Sequence, residues 1–199
     1  MLSPDAGKLL QNWTPANESE LNSGDVDLGS TAPALLGSGL AVQSGKDGKL
    51  RLLDLAKLNG KGGAGPVKGG ELQTLPTPSG SGLFSAPAVW RSGGSTWLVV
   101  SDFSATAAYV LKGRRLSRAW RASSAGTSPA VAGGLLYVYD PGGRLDVYVP
   151  TTGKMLVSLD AGGGHWSSPI VTDGRIALPV GDANDHATTG ELDIWRVSS

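Results

Sequence analysis

The sequence predicts an all-β chain, a β-propeller of four-stranded antiparallel blades with about four blades present, and three observations predict it. One phrase recurs four times, as Thr31-Ala-Pro-Ala-Leu-Leu, Ser85-Ala-Pro-Ala-Val, Thr127-Ser-Pro-Ala-Val and Ser167-Ser-Pro-Ile-Val. Its prolines stand at 33, 87, 129 and 169, spacings of 54, 42 and 40 residues, and a period near forty is that of propeller blades. Between the phrases lie short apolar runs separated by turns, and the 30 glycines are roughly twice ordinary usage.

Each repeat divides into strands. The N-terminal piece Asp5 to Trp13 matches Thr151-Thr-Gly-Lys-Met-Leu-Val of the third repeat, so residues 1–30 read as an orphan outer strand and a blade-joining loop. The first blade, 31–76, runs through Pro33-Ala-Leu-Leu, Leu40-Ala-Val-Gln, an Asp47-Gly48 turn and Lys49 to Leu55. The glycine-rich insertion from Lys57 to Gly70, read as a mobile surface loop, precedes its last strand, Glu71 to Leu75. The second blade, 84–122, is the least regular, with strands expected at 87–90, 96–100, 107–111 and 116–120. The third, 127–160, is the clearest: Pro129-Ala-Val-Ala, Leu135 to Tyr139, Arg144 to Val149 and Lys154 to Leu159, joined by glycine turns. Its third strand alternates, placing Leu145, Val147 and Val149 on one side and Arg144, Asp146 and Tyr148 on the other. The last blade, 167–199, has three recognisable strands and lacks a fourth.

The count is therefore an orphan strand, three complete blades and an incomplete one. The orphan could complete the last blade and close a four-bladed ring, which removes exposed edges. Alternatively the chain is the C-terminal portion of a seven- or eight-bladed propeller, the favoured reading because closure with so few blades is rarer. Half a ring would expose two broad apolar blade faces, an expectation of missing blades or self-association.

The residues Pro129-x-Val131, Gly134-Leu-Leu-Tyr-Val138 and Thr152-Gly-Lys154 resemble the pyrroloquinoline-quinone-type repeats of the quinoprotein alcohol dehydrogenase-like superfamily. The resemblance covers nearly the whole chain and is clearest at 31–55, 127–159 and 167–195. The stretch Asn12 to Asn17, followed by Asp25-Val-Asp-Leu-Gly-Ser30, is similar to the family's join between blades. The resemblance implies seven or eight blades and export to the periplasm or outside the cell, although no signal peptide is present in this sequence. The family contains quinone-dependent dehydrogenases and non-catalytic propellers, among them an outer-membrane assembly lipoprotein, so an activity does not follow from the fold. Its dehydrogenases use calcium-held pyrroloquinoline quinone, an acidic base and a stacking tryptophan, some with adjacent cysteines. This chain has no cysteine and no residue-by-residue match to a complete cofactor site.

Charge and hydropathy exclude other partners. Seventeen basic and 17 acidic residues are mixed along the chain, so no basic stripe suits nucleic acid. No apolar stretch reaches the length of a membrane span.

Candidate sites lie where the repeat plan breaks. The long connection in the last blade holds Asp182, Asn184 and Asp185, whose hard oxygens would suit calcium, and His186. Ala187 stands where an EF-hand loop needs glycine, and the same residues equally shape a long turn by bonding their own backbone. The same face of a propeller receives the links between blades, and with them Asp25, Asp27, His165 and Trp166. Trp166 reads either as a ligand-stacking ring or as packing between blades, and Asp25 and Asp27 as cation ligands or turn-formers. The expected function is a non-catalytic binding or scaffold module taking a protein or small molecule at the loop-rich face, with no cofactor. The alternative is a fragment of a dehydrogenase that uses pyrroloquinoline quinone and calcium.

Overall fold

Four antiparallel sheets, each meandering in chain order, make up the computed structural model, which describes residues 2–58, 68–181 and 190–196. Blade 1 holds β1 (Ala34–Gly37), β2 (Leu40–Gln43), β3 (Lys49–Asp54) and β4 (Gln73–Pro76). Blade 2 holds β5 (Ala88–Ser92), β6 (Ser95–Ser101), β7 (Thr106–Lys112) and β8 (Arg115–Ala122). Blade 3 holds β9 (Ala130–Ala132), β10 (Leu135–Asp140), β11 (Arg144–Tyr148) and β12 (Met155–Asp160). Blade 4, among the described residues, holds β13 (Ile170–Thr172), β14 (Arg175–Val180) and β15 (Glu191–Arg196). The all-β propeller architecture expected of the repeats is the observed one.

The blades cohere through three cores, each joining consecutive blades. Leu36, Leu40, Val42, Leu50 and Leu52 meet Leu98, Val100 and Tyr109 between blades 1 and 2. Val99 and Ala108 meet Leu136, Val138 and Tyr148 between blades 2 and 3. Tyr137, Tyr139, Leu145 and Val147 meet Ile176, Leu178, Val180 and Trp195 between blades 3 and 4. Middle strands are thus apolar on both faces, as a sheet covered on both sides requires.

The recurring phrase proves to be a stitch around the inner strands. Thr31 Oγ1 donates to the Ser85 carbonyl at 2.8 Å, Ser85 Oγ to the Ser101 carbonyl at 2.6 Å, and the Ala86 N–H to Ser128 Oγ at 2.9 Å. Buried loops leave backbone groups that must be paired, and a hydroxyl one or two residues before the proline pairs them within a blade or across to the next. The Thr-Gly-Lys turn has an equally local cause. Gly153 sits at φ +69°, and a Cβ there would lie 2.6 Å from the Trp120 indole of the preceding blade. That indole stacks on Tyr148, and its Nε1 donates to the Pro150 carbonyl at 2.8 Å.

Three departures from the sequence reading stand out. The alternation in β11 does not sort inside from outside, because Asp146 is as buried as Leu145. Its carboxylate accepts from Ser124 Oγ (2.9 Å), Tyr148 OH (3.0 Å) and Ser158 Oγ (2.5 Å), three neutral donors that satisfy it inside the blade. The N-terminal piece forms no strand of its own: Leu2 and Leu9 make an isolated bridge, Asn12 stands in a bridge position, and the Thr14 carbonyl accepts from the Gly69 N–H at 2.8 Å. Beyond it, α1 (Glu18–Ser23) and a short 3-10 turn (Leu28–Ser30) lead into blade 1, with Trp13 over the Arg51 guanidinium at 5.9 Å. That segment lies against the face of blade 1 turned away from blade 2, where Ala41, Arg51 and Leu53 are buried. Among the described residues the far face of blade 4 is open, with Ile170, Leu192 and Ile194 each about 60% exposed.

Candidate functional site

Two side-chain groups occupy the loop-rich face. The first is aromatic. Phe84 comes from the link between blades 1 and 2, Phe103 from the β6–β7 turn, and Trp166 from the link between blades 3 and 4. Their ring centroids form a triangle with sides of 5.3, 5.4 and 5.9 Å, at tilted angles suited to ring quadrupoles. The cluster is packed yet open: Phe103 is 57% and Trp166 48% exposed. His165 stands edge-on to Trp166 with centroids 4.4 Å apart.

Beside the rings lies a cleft of about 290 Å³, lined among others by Gly126, Thr127, Asp140, Pro141, His165 and Trp166. Its walls are fixed by local chemistry. The Asp140 carboxylate accepts from the Gly142 N–H at 2.9 Å and pairs with Arg144 at 2.9 Å, which raises the guanidinium pKa. Gly164 allows the His165-Trp166 link to cross Tyr139, whose hydroxyl would lie 2.5 Å from a Cβ at that position. The Tyr139 hydroxyl donates to the Gly162 carbonyl at 2.7 Å, and burial pushes its pKa up.

The second group is ionic. Lys46, on the β2–β3 turn, pairs with Asp27 at 2.6 Å and with Asp25 at 3.5 Å, and the bond to Asp27 raises the lysine pKa. The Lys46 N–H also donates to the Asp27 carbonyl at 2.9 Å, which pins the N-terminal segment to blade 1. Asp25 and Asp27 thus serve an intramolecular ammonium ion. The two groups adjoin at Gly82, which packs against both the Lys46 backbone and the Phe84 ring.

The structure therefore joins His165 and Trp166 in one cluster and Asp25 and Asp27 in another. Asp182, Asn184, Asp185 and His186 lie outside the described residues. Among the described residues no group of three or more histidine, aspartate or glutamate side chains converges as a metal holder. Sequence reading missed Phe84 and Phe103. Each is a large aromatic inside a turn or link, Leu83-Phe84-Ser85 and Asp102-Phe103-Ser104, where a solvated loop has no need of one.

Three consecutive four-stranded blades and a fourth with three described strands, packed side by side and presenting their links on one face, define the class: this is a β-propeller fold. No protein-family model and no curated protein matches the chain. Among solved structures, the β-propeller domain of Myceliophteria thermophila Cps50 (Swd1) is similar at TM-score 0.58 and 12% identity, covering 95% of this chain and 59% of that one. The computationally designed Ika4 protein is similar at TM-score 0.57 and 14% identity over 96% of both chains. BamB from Moraxella catarrhalis is similar at TM-score 0.50 and 15% identity, over 75% of this chain and 42% of that one. The chain thus matches less than half the length of that BamB. Identities this low establish the fold alone.

Proposed function

We propose that this propeller is a non-catalytic binding module of the quinoprotein-like kind, which takes an extended, proline-containing peptide segment on its loop-rich face. An exported location belongs to the same reading and rests on the repeat resemblance. The observation that carries the proposal is the exposure of two large rings, Phe103 and Trp166, on a rigid three-ring platform beside a cleft. Exposed apolar surface of this sort is costly to leave in water and is characteristic of contact sites. Flat rings flanking a groove suit a polyproline-type segment, which loses little entropy on docking. The Trp166 indole N–H donates to no group among the described residues, and it is placed to donate to a backbone carbonyl of such a segment.

A ten-residue oligoproline peptide tests this reading directly. Titrated into the protein, it should shift Trp166 fluorescence saturably, and Trp166→Ala should abolish binding measured by calorimetry while leaving the circular dichroism spectrum intact. Binding that survives the substitution, or no binding at all, overturns the peptide site. A parallel titration with pyrroloquinoline quinone and calcium addresses catalysis: saturable uptake with reduction of an acceptor dye would sink the non-catalytic reading.

A further inference from the structure

The charges that lie mixed along the sequence are sorted in space. Links between blades and the turns between second and third strands share one face, so the remaining hairpin turns gather on the opposite one. Cations crowd that hairpin face. Arg91 lies near the end of β5, Lys112, Arg114 and Arg115 form the β7–β8 turn, and Lys154 immediately precedes β12. In blade 4, Arg175 begins β14 and Arg196 ends β15, and each of these cations is exposed. Acids at this end are few and mostly engaged. Asp54 pairs with Arg114 at 2.5 Å and Glu71 with Arg51 at 3.9 Å, which leaves Asp173 among the described residues of these turns. On the link face, by contrast, Lys46 and Arg144 each have a carboxylate partner.

Two pairings make the arrangement costly to keep. Lys112 stands directly opposite Arg115 in the β7–β8 ladder, and Arg175 opposite Arg196 in the β14–β15 ladder. Like charges opposed across antiparallel strands repel and destabilise the pair. Neither pair has an acidic partner among the described residues. An external polyanion would relieve that repulsion. Apolar side chains stand among the cations. Met155 and Leu156, next to Lys154, are each 48% exposed. Trp90 and Trp97, opposite each other in the β5–β6 hairpin, are half-buried and stack with centroids 5.5 Å apart.

We infer that this hairpin face docks on the surface of a bilayer rich in anionic phospholipid, through Arg91, Lys112, Arg115 and Lys154. Basic side chains interleaved with aliphatic and indole groups match the two layers of such a surface, phosphate outside and acyl chain beneath. Each basic side chain close to the headgroups adds to an attraction that salt weakens. Nucleic acid suits the arrangement less, because the cations cap separate hairpins of successive blades and do not line one groove that could track a phosphate backbone. The docking face lies at the opposite end of the strands from the aromatic platform, so a docked molecule keeps its link face in water. The inference is independent of peptide binding there.

Sedimentation with vesicles tests it on the full-length chain. At about 0.1 M salt, vesicles of equimolar phosphatidylglycerol and phosphatidylcholine should carry the protein down, and raising the salt to about 0.5 M should release it. Vesicles of phosphatidylcholine alone should not bind it. Arg91→Ala/Lys112→Ala/Arg115→Ala should weaken binding on the order of a hundredfold at an unchanged circular dichroism spectrum. Lys154→Glu, a single change on an exposed turn, should weaken it roughly tenfold and serves if the triple variant loses its fold. Lys49→Ala, which removes an exposed cation at the link end of β3, should leave binding unchanged. No binding to the anionic vesicles, equal binding to the neutral ones, or full binding by folded triple and Lys154→Glu variants overturns the inference. So does tighter binding to a decaglutamate peptide or to a short DNA duplex, which would assign the face to an acidic protein or to nucleic acid.

Discussion

Single residues in this protein owe their identity to what the next blade does. Gly153 is required twice over, by its positive φ and by the indole of Trp120 against its Cα. Gly153→Ala should therefore destabilise the fold by about 2 kcal/mol, the cost of overpacking a rigid contact, read as a lower urea midpoint at unchanged slope. The tyrosines make a related point. Burial raises the pKa of all four, Tyr109 and Tyr148 to about 12 from 10.0. A group whose folded pKa is raised lends stability below its unfolded pKa and loses it as pH rises through the folded value. Stability should thus hold to about pH 10 and fall between pH 10 and 12. Tyrosinate absorbance should rise together with unfolding; a rise near pH 10 with the circular dichroism spectrum unchanged would contradict the burial. These residues were legible in sequence as turn glycines and strand aromatics. Asp146 was not, because alternation in one strand says nothing about a sheet packed on both faces.

At the scale of elements, outer strands are held by side chains as well as ladders. Gln73 of β4 accepts from the Leu116 N–H at 2.8 Å and donates to the Leu116 carbonyl at 3.0 Å, tying blade 1 to β8 of blade 2. Gln73→Ala leaves both backbone groups without that partner and should cost about 1–2 kcal/mol in denaturant unfolding. The order within each blade followed where glycine turns are short, as between β1 and β2, β5 and β6, or β9 and β10, since two-residue loops permit only antiparallel neighbours. The fate of residues 5–13 did not follow. Their pattern is that of an outer strand, but a strand needs an edge, and edges are supplied by tertiary arrangement.

The whole molecule is a short array in which each blade leans on its neighbours. In such arrays stability is close to a sum of unit and interface terms, so the unit with the fewest interfaces opens first. Among the described residues blade 4 has one packed face, whereas blades 2 and 3 have two. Amides of β14 should exchange with deuterium faster than those of β6 and β10, measured by peptide-resolved mass spectrometry. Equal protection across the four blades would mean that the open face is covered.

The repeated proline phrase, its period and the glycine turns by themselves determined blades, strand order and the face on which the links gather. They did so because hairpin geometry and apolar periodicity are local properties of the chain. Tertiary structure alone decided which loop side chains meet. Phe84, Phe103 and Trp166 lie up to 82 positions apart in the chain, and only the radial stacking of blades brings their rings within 6 Å. It also decided that the N-terminal segment packs on blade 1 and that, among the described residues, Ile170, Leu192 and Ile194 of blade 4 stand exposed, since packing against a neighbour is not a property that any strand carries in its own sequence.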